Sequence, residues 1–466
     1  MKLIYKIEDR PKFGQMIIFA IQQLLAIMAA TLVVPVIING NVAQKIADGA
    51  INWELQTGMS PAAALFGAGV GTLVYLLFTK FRSPVFLGSS FAFLGSMTAA
   101  FAGAVSMAAG FAGLILGAVF AGLVYVVIAA IVKFAGVKWI NKLMPAVVIG
   151  PTVAIIGLSL AGNAVGDLQT APAGGDSRIA VLCGLITLAV TMLCSVYAKG
   201  KSMFRLIPFI IGILAGYCFA TVLTLIGNAS GIDALKIIDF SSLAALVDGG
   251  VGVKTFLTLP DFTFVTAFNG FKEIDGGYIS TLIAAYVPVA FVVFAEHIAD
   301  HKNISTIVEK DLLEDPGLHR TLLGDGVGSI AGAFFGGCPN TTYGESIGCV
   351  AITGNASVVT ILTAAILAIL ISFLAPFVAF VNSIPSCVMG GVCMALYGFI
   401  AVSGLKMVQK VDLEDNRNLF VVSVILIAGI GGLALNFGDV TITEVACALI
   451  LGILTNLMLK GNKKED

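Results

Sequence analysis

Long apolar runs with very few charges are the feature of this sequence that most limits the folds available to it. Hydrophobic residues make up 58% of the 466-residue chain and charged residues only 11%, whereas a typical soluble protein has about 25% charged residues. Many of these runs are long enough for a helix that crosses a bilayer, which needs about 20 residues. The sequence therefore predicts an all-α polytopic membrane protein surrounded by a lipid bilayer.

Fourteen hydrophobic segments can be distinguished, and two of them are atypical. The third opens with "SPVFLGSSFAF", and the tenth is short and polar, with "CPNTTYGES" inside it. The fourteen segments are 13–38, 61–80, 84–106, 108–133, 138–163, 178–198, 204–226, 279–300, 318–336, 338–353, 357–381, 384–404, 417–436 and 440–460.

The basic residues predict how these segments are oriented, because cytoplasmic loops are enriched in Lys and Arg. If the N-terminus is inside, only five of the 26 basic residues lie outside: Lys45, Arg178, Lys236, Lys254 and Lys272. The inner set includes Lys80, Arg82, Lys133, Lys138, Lys142, Lys199, Lys201, Arg205, Lys406 and Lys410. An odd number of segments would remove this asymmetry, so we expect both termini in the cytoplasm.

This topology places a long loop, 227–278, outside and an amphipathic loop, 302–320, inside. The charged start "MKLIYKIEDRPKFG" lacks a clear cleavage site after it, and we expect a cytoplasmic tail rather than a signal peptide. The cell (inner) membrane is the expected location.

Charge and cysteine content argue against other classes of function. The net charge is −1, and no basic stripe is present that could hold nucleic-acid phosphates. None of the eight cysteines forms a CxxC pair, and most lie in apolar runs, as small buried hydrophobic residues do.

A weak internal repeat relates the two halves of the chain. "PAVVIGPTVAIIG" begins at Pro145 in segment 5, and "PSCVMGGVCMALYG" begins at Pro385 in segment 12. Likewise, "GSSF" (88–91) in segment 3 corresponds to "NTTY" (340–343) in segment 10. Segments n and n+7 match, and seven is odd, so the two halves must be inverted. Inverted repeats with broken helices at matching positions are typical of secondary transporters.

The two atypical segments are the predicted binding region. Irregular backbone at membrane depth persists only when it is buried in protein or lines a cavity. Each segment can form a short strand followed by a half-helix, and the two strands can pair. The half-helix N-termini would then point at one spot, next to Glu345. The alternative is a polar loop at the outer surface.

A second cluster of ionisable residues, "FAEHIADH" (294–301), closes segment 8. Glu296 and Asp300 are four residues apart and share a helix face, as do His297 and His301. An acid inside a membrane segment is a functional candidate because its charge is costly to bury. The histidine spacing also fits a metal pair, but the order H-E-x-x-H is absent, and we expect His297 to hydrogen-bond a neighbouring helix instead. No metal or other cofactor is predicted.

Two acids from different segments, with few cations nearby, suggest groups that bind protons and a neutral, planar, hydrogen-bonding solute. Inorganic anions would require Arg or Lys at membrane depth. Tyr397, in the apolar run "MALYGFI", is either another polar contact or a packing residue.

A channel would need a continuous polar pore, and an intramembrane hydrolase would need a nucleophile–base pair or a metal triad. Neither pattern is found, so no enzyme is predicted.

Three motifs together resemble one known family: "LGSSFAF", "AEHIADH" with "IVEKDLLEDPGLHR", and "PNTTYGESIGCVAITG". The family is the nucleobase–cation symporter-2, or nucleobase–ascorbate transporter, family. Its uracil permeases are the members that this sequence resembles most, over residues 10–460. The resemblance implies fourteen segments as two inverted sevens, with short β-strands in segments 3 and 10.

The resemblance also implies a domain layout and a homodimer. Segments 1–4 and 8–11 would form a core domain, over 1–136 and 279–382. Segments 5–7 and 12–14 would form a gate domain, over 137–227 and 383–466, with an extracellular loop at 228–278. Substrate would lie between the two domains.

Carried over by matching motif, Glu296 and Glu345 would bind the substrate and take part in proton coupling. Backbone groups at Phe91, Tyr343 and Gly344 would contribute hydrogen bonds, and Tyr397 would line the gate side. The family signature Glu/Gln-Asn-x-Gly-x4-Thr corresponds to Glu345-Ser346-Ile347-Gly348 followed by Thr353.

Departures from the family pattern concern the substrate and the coupling ion. Gln22-Gln23 replaces a Gln-His pair, Ser346 replaces the signature Asn, and Asp300 stands where some uracil permeases have His. Asp325 also resembles the purine-type members. Gln23 and Ser346 are therefore expected beside the substrate, and Asp300 in proton coupling. The expected function is proton-coupled uracil uptake by alternating access; the alternative is a xanthine or purine symporter driven by H⁺ or Na⁺.

Overall fold

Helices account for most of the computed structural model, which describes residues 3–136, 145–198, 204, 207–248, 250–437 and 440–459. The first half contains α1 (Phe13–Ala47), α2 (Pro61–Phe78), α3 (Leu94–Ala102), α4 (Met107–Ala135), α5 (Ala146–Ser159), α6 (Ala161–Leu168), α7 (Ser177–Tyr197) and α8 (Pro208–Ser230). Short helices follow: α9 (Ser241–Ala244), α10 (Val253–Phe256) and α11 (Thr263–Gly270). The second half contains α12 (Gly276–Val308), α13 (Leu318–Gly336), α14 (Gly344–Thr353), α15 (Val358–Ile371), α16 (Ala375–Ser383), α17 (Ser386–Val408), α18 (Asn416–Ile430) and α19 (Glu444–Met458).

In the described part of the chain, four short strands form two antiparallel pairs. Strands β1 (Leu87–Ser89) and β2 (Asn340–Thr342) pair across the two halves of the chain. Strands β3 (Leu435–Phe437) and β4 (Val440–Ile442) form a hairpin that leads into α19. The strands predicted in segments 3 and 10, and their pairing, are confirmed. The second hairpin was not predicted.

Eight apolar helical stretches in the described residues are at least 18 residues long and suited to crossing a membrane. They are α1, α2, α4, α5 with α6, α7, α8, α12 and α17. Four shorter apolar helices occur at Phe91–Ala102, Val358–Ile371, Asn416–Ile430 and Glu444–Met458. The protein is thus a multi-pass membrane protein, and each of the fourteen predicted segments contains helix.

Three sequence-based boundaries need correction. The predicted inner loop 302–320 is shorter, because α12 continues to Val308 and ends only where Glu309 takes a left-handed conformation, φ 55°. Segment 11 is divided into α15 and α16, and the loop 227–278 contains short helices. One of them, α11, packs on α4. Lys138, Lys142, Lys199, Lys201 and Arg205 lie outside the described residues.

Glycines allow α2 and α13 to pack at close range. A Cβ atom on Gly67 of α2 would lie 2.5 Å from the carbonyl oxygen of Gly332 on α13. The Asn340 side chain of β2 fits against the same glycines and donates to the Gly67 carbonyl at 3.1 Å. Small residues are typical of such interfaces, because helices in lipid associate by close packing and hydrogen bonding rather than by the hydrophobic effect. This contact holds one strand of the central pair in place.

The helices pack as two sets. Helices α1 to α4, α12, α13 and α15 pack mostly among themselves. Helices α5 to α8 and α17 to α19 form the other set, in which α17 contacts α5, α6 and α7. The paired strands β1 and β2 and the helix α14 pack with the first set.

Charged residues gather where α2 and α12 end and α13 begins. Arg82 Nη1 lies 2.6 Å from Asp315 Oδ1, and Lys310 Nζ lies 3.0 Å from Asp315 Oδ2. These two cations hold the pKa of Asp315 below its usual value. Lys310 also approaches Glu8 of the N-terminal segment at 3.6 Å, so the N-terminus lies at this end of the molecule.

We predict that Gly67→Ala lowers the thermal midpoint of the detergent-purified protein. Alanine favours a helix by about 1 kcal/mol over glycine, but overpacking a tight contact costs about 1–3 kcal/mol. Because the added Cβ would meet the Gly332 backbone, which cannot rotate away as a side chain can, the cost of overpacking should exceed the gain in helix propensity.

Gly162→Ala on α6 is the matched control, since nothing lies within 4 Å of its added Cβ. This variant should be unchanged or slightly stabilised. Equal midpoints for the two variants would mean that the α2–α13 contact is not close-packed.

Candidate functional site

The paired strands β1 and β2 lie at the centre of the candidate site. Leu87 pairs with Thr342, Gly88 with Thr341 and Ser89 with Asn340. Each strand runs into a helix: β1 into a 3₁₀ turn, Phe91–Phe93, followed by α3, and β2 into α14. The strand residues are buried, and their backbone groups are satisfied by each other, as a membrane interior requires.

The Tyr343 side chain stabilises this strand pair. Its ring lies across Gly88, where any Cβ atom would collide with it. Its hydroxyl donates to the carbonyl oxygen of Ser89 at 2.8 Å. The Tyr343 ring therefore packs on the opposite strand and only 4% of the residue is exposed.

Three carboxyl groups from two helices line one cavity of about 380 Å³. Glu296 and Asp300 lie one turn apart on α12, and Glu345 lies in the first turn of α14. The cavity volume falls within the range of about 300–1,000 Å³ typical of small-molecule pockets. Its lining consists of Phe91, Ala92, Val153, Ile156, Phe209, Glu296, Ala299, Asp300, Thr341, Thr342, Tyr343, Gly344, Glu345, Leu396, Phe399, Ile400, Ser403 and Met407.

The charged residues described in the lining of this cavity are all acidic. No Lys, Arg or His is among the lining residues in the part of the chain that the structure describes, and the ionised forms of Glu296, Asp300 and Glu345 repel one another. Asp300 Oδ2 accepts a hydrogen bond of 2.7 Å from the Thr342 hydroxyl. Helix α14 contributes the positive end of its dipole next to Glu345. The cavity thus combines acids that can bind protons or N–H groups with a helix N-terminus that can meet carbonyl oxygens.

The two histidines of α12 are turned away from this cavity, toward α2 and α13. His297 Nδ1 lies 2.7 Å from Asp325 Oδ2, and His297 Nε2 lies 3.0 Å from Thr321 Oγ1, both on α13. His301 Nε2 lies 2.7 Å from the Tyr75 hydroxyl on α2. The predicted contact between His297 and a neighbouring helix is confirmed. These histidine nitrogens are occupied by hydrogen bonds that join α12 to α2 and α13.

Most residues predicted for the site lie together. Glu296, Asp300, Glu345, Phe91, Tyr343 and Gly344 all line the cavity. Tyr397 does not line it but lies against Phe91, with the ring centroids 6.0 Å apart in an edge-to-face arrangement.

Gln23 and Ser346 lie behind the cavity wall and do not line it. Ser346 is fully buried and Gln23 is 2% exposed. The Ser346 hydroxyl accepts from the Phe86 backbone N–H at 3.0 Å and from the Gln23 side-chain amide. These two side chains join α1, the segment before β1, and α14.

Two features of the cavity were missed from the sequence. For Thr342, which donates to Asp300, the sequence pattern predicts only a place in a strand. The apolar wall opposite the acids comes from α5, α8 and α17; on α17, the cavity is lined by Leu396, Phe399, Ile400, Ser403 and Met407. The spacing 396, 400, 403 and 407 is that of one helix face and was the available signal.

A second, larger cavity of about 800 Å³ lies beyond α3, away from the end of the molecule that carries the N-terminal segment. Gly95, Thr98 and Ala102 of α3 line it, together with Thr443 and Glu444 at the start of α19. It is not lined by the paired strands or by Glu296, Asp300 and Glu345, so the smaller cavity remains the candidate site.

Beside the larger cavity, two hydrogen bonds connect three helices. The Asn163 amide donates to Asn41 Oδ1 at 3.0 Å, and the Asn41 amide donates to Thr98 Oγ1 at 3.3 Å. They join α6 of the second helix set to α1 and α3 of the first.

Comparison with known proteins gives near full-length matches. A model of the permease family Xan_ur_permease matches residues 14–437. The uracil permease of Bacillus caldolyticus is 39% identical over 463 residues, covering 99% of this chain and 95% of the relative. The uracil permease of Escherichia coli (strain K12) is 35% identical over 459 residues, covering 97% of this chain and 93% of the relative.

Solved transporters share the fold. The transmembrane domain of the cyanobacterium bicarbonate transporter BicA gives a TM-score of 0.55 at 12% identity, covering 97% of this chain and all of that one. The murine Solute Carrier 26 family member A9 anion transporter, in its inward-facing state, gives 0.59 at 9% identity, covering 97% and 69%. At these identities the likeness concerns the fold alone.

Ser346→Ala should destabilise the protein. The substitution leaves the buried Phe86 N–H without its acceptor, and an unsatisfied buried donor costs about 1–3 kcal/mol. A lower thermal midpoint of the detergent-purified protein is the expected result.

Ser403→Ala provides the comparison, because Ser403 lines the cavity and is exposed on α17. Its midpoint should match that of the unmodified protein. If Ser346→Ala left stability intact, the bridge between α14 and the segment before β1 would have no structural role.

Proposed function

The chain belongs to the Xan_ur_permease family of permeases and is a nucleobase transporter rather than an enzyme, and from this premise we propose that it takes up uracil together with protons. The coupling ion in this proposal is H⁺, and transport occurs by alternating access at the cell (inner) membrane. The observation that carries the proposal is the cavity in which Glu296, Asp300 and Glu345 meet the start of α14.

Uracil has the chemistry that this cavity can complement. It is neutral and planar, with ring N–H donors beside carbonyl acceptors. Glu296 and Glu345 are acceptors for N–H groups, while backbone N–H groups at the starts of the 3₁₀ turn and α14, which have no carbonyl partner within their own helix, can donate to carbonyl oxygens. Phe91 and the wall from α17 cover the apolar faces of the ring. The uracil permeases among the relatives support this substrate.

Xanthine or another purine is the second candidate substrate. Asp300 and Asp325 favour it, because the residue type at both positions resembles that of the purine-type family members. Its edges also carry N–H and carbonyl groups, so the same acids could bind it. The burial of Gln23 and Ser346 behind the wall weakens the case that these two positions select the base.

The acids also provide the coupling. Three carboxyl groups around one cavity, with no cation among its described lining residues, favour bound protons, because the ionised forms repel one another and are costly to bury. A proton on one of them would reduce the negative charge of the loaded cavity by one and cross with the substrate. Asp300, held by Thr342, is the relay in this proposal. Carboxylate oxygens can also bind Na⁺, which is the alternative coupling ion.

For the transport cycle, we propose a core domain (1–136 and 279–382) that moves against a gate domain (137–227 and 383–466). These domains comprise fourteen segments in two inverted sevens, with 228–278 as an outer loop and both termini in the cytoplasm. The packing of the helices as two sets supports this division. The location of the cavity also supports it, because its acids are on α12 and α14 of the first helix set and its apolar wall includes α17 of the second set. A homodimer is the proposed assembly.

The hydrogen bonds among Asn163, Asn41 and Thr98 support an outer side that is closed in this conformation. They would have to break when the larger cavity joins the binding site. The smaller cavity reaches Ser403 and Met407 near the C-terminal end of α17, toward the predicted cytoplasmic side.

Uptake of labelled uracil by cells without their own carrier tests the proposed function. Uptake should fall with a protonophore, persist without Na⁺, and resist excess unlabelled xanthine. Glu296→Gln and Glu345→Gln should each abolish it, since an amide does not bind and release a proton near neutral pH and presents an N–H donor where an acceptor is needed.

Glu54→Gln is the control, because Glu54 is an exposed acid away from the cavity. It should transport normally, and all variants should reach the membrane in similar amounts. Normal uracil uptake by either cavity variant would refute the assigned roles. Uptake erased by xanthine would favour the purine alternative.

The pH profile of uracil uptake should depend on the Thr342 hydroxyl. This donor favours the ionised form of Asp300, and a hydrogen bond to a charged group contributes about 1.5–3 kcal/mol. In Thr342→Val the donor is lost, and the alkaline limb of the profile should move to higher pH by about one to two units.

Thr342→Ser keeps a hydroxyl and should retain the original profile. The measurement is the initial rate of uracil uptake across a pH series, with expression matched. Identical profiles for the valine and serine variants would exclude Thr342 as a determinant of the proton step.

A further inference from the structure

Three helices end or begin around a separate cavity of about 430 Å³ at the end of the molecule that carries the N-terminal segment. Helix α2 ends near Phe78, α4 ends near Lys133 and Phe134, and α13 begins just before His319 and Arg320. The cavity is lined by these five residues and Leu323, among others. It lies outside the strand pair and shares no residue with the binding site.

The basic side chains in this cavity have no acidic partner within the described ranges of the chain. Among the described residues, neither Lys133 nor Arg320 takes part in an ion pair, and no carboxylate lines the cavity. At the same end of the molecule, by contrast, Arg82 and Lys310 both pair with Asp315. Lys133, His319 and Arg320 are close enough to interact electrostatically. The N-terminus of α13, nineteen residues long, adds positive potential beside them.

The rest of the cavity is apolar and open to the surroundings. Phe134 is 85% exposed and Phe78 is 36% exposed, on helices whose other faces pack in the protein. Lys133 Nζ also lies 5.7 Å from the centroid of the Phe134 ring. A cationic pocket bordered by exposed aromatic rings at a helix end matches a ligand with an anionic head and a hydrocarbon tail.

We propose that this cavity binds an anionic phospholipid, with the headgroup phosphate between Lys133 and Arg320 and the acyl chains along Phe78 and Phe134. Arginine and lysine both bind phosphate through charge-assisted hydrogen bonds. Basic pockets between transmembrane helices on the cytoplasmic side are suited to anionic headgroups, and the Lys and Arg distribution places this end inside. The lipid would tie α2, α4 and α13 together, so its binding should stabilise the helix set that contains Glu296.

The test compares lipid binding by three forms of the full-length, detergent-purified protein. Native mass spectrometry with added phosphatidylglycerol, or with phosphatidylcholine of the same acyl chains, would measure the lipid-bound fraction. The variant is Lys133→Gln with Arg320→Gln. The matched control is Lys406→Gln with Lys410→Gln, which removes two exposed lysines from the same predicted face.

Phosphatidylglycerol should bind the unmodified protein and the control alike and raise their thermal midpoints. Its affinity for the Lys133/Arg320 variant should fall by about tenfold or more, with phosphatidylcholine weaker throughout. Equal phosphatidylglycerol binding by all three proteins, or equal binding of both lipids, would overturn the proposal. Displacement of the lipid by millimolar inorganic phosphate would overturn it in favour of a free anion. Because no readout involves uracil, the result is independent of the proposed transport function.

Discussion

The pairing of β1 with β2 is the interaction on which the rest of the structure depends. Two stretches of non-helical backbone lie inside an apolar helical protein, where an unsatisfied peptide group costs several kcal/mol. The two strands, which come from opposite halves of the chain, satisfy each other's backbone groups. Neighbouring side chains then fix the pair: Tyr343 packs over Gly88, Asn340 reaches Gly67, and Ser346 binds the backbone before β1. As a result, two short helices begin inside the membrane region, and their first N–H groups have no carbonyl partner within the helix.

The position of the strands also decides where charge can be placed. Glu345 follows β2 by only three residues, so pairing the strands sets its carboxyl group beside α12, which provides Glu296 and Asp300. On α12 itself, acids and histidines lie on different faces. The acids line the cavity, whereas His297 and His301 bind α13 and α2. One helix therefore serves as both a wall of the site and a fixed part of its framework, which suits a site whose opposite wall is proposed to move.

Much of this could be predicted from the sequence, because the signals were local or repeated. Polar residues interrupting an apolar run predicted both strands, and the i, i+4 spacing placed Glu296 and Asp300 on one face. Side-chain direction around the strands was harder. Tyr343 turns onto the opposite strand because Gly88 leaves space there, which is a tertiary fact. Ser346 was expected beside the substrate, although successive residues on a helix are turned by about 100°, so with Glu345 in the cavity its neighbour points elsewhere. The extension of α12 and the β3–β4 hairpin depend on packing that no short pattern records.

The central claim is that this cluster of acids couples a proton to each uptake of a neutral base. Purified protein in sodium-free liposomes containing a pH-sensitive dye would test it directly. When uracil is added outside, with no other gradient imposed, the account predicts that the lumen acidifies as labelled uracil enters. The Glu345→Gln protein should produce neither signal. Uracil entry with no change in lumenal pH, or entry only when Na⁺ is supplied, would contradict the account.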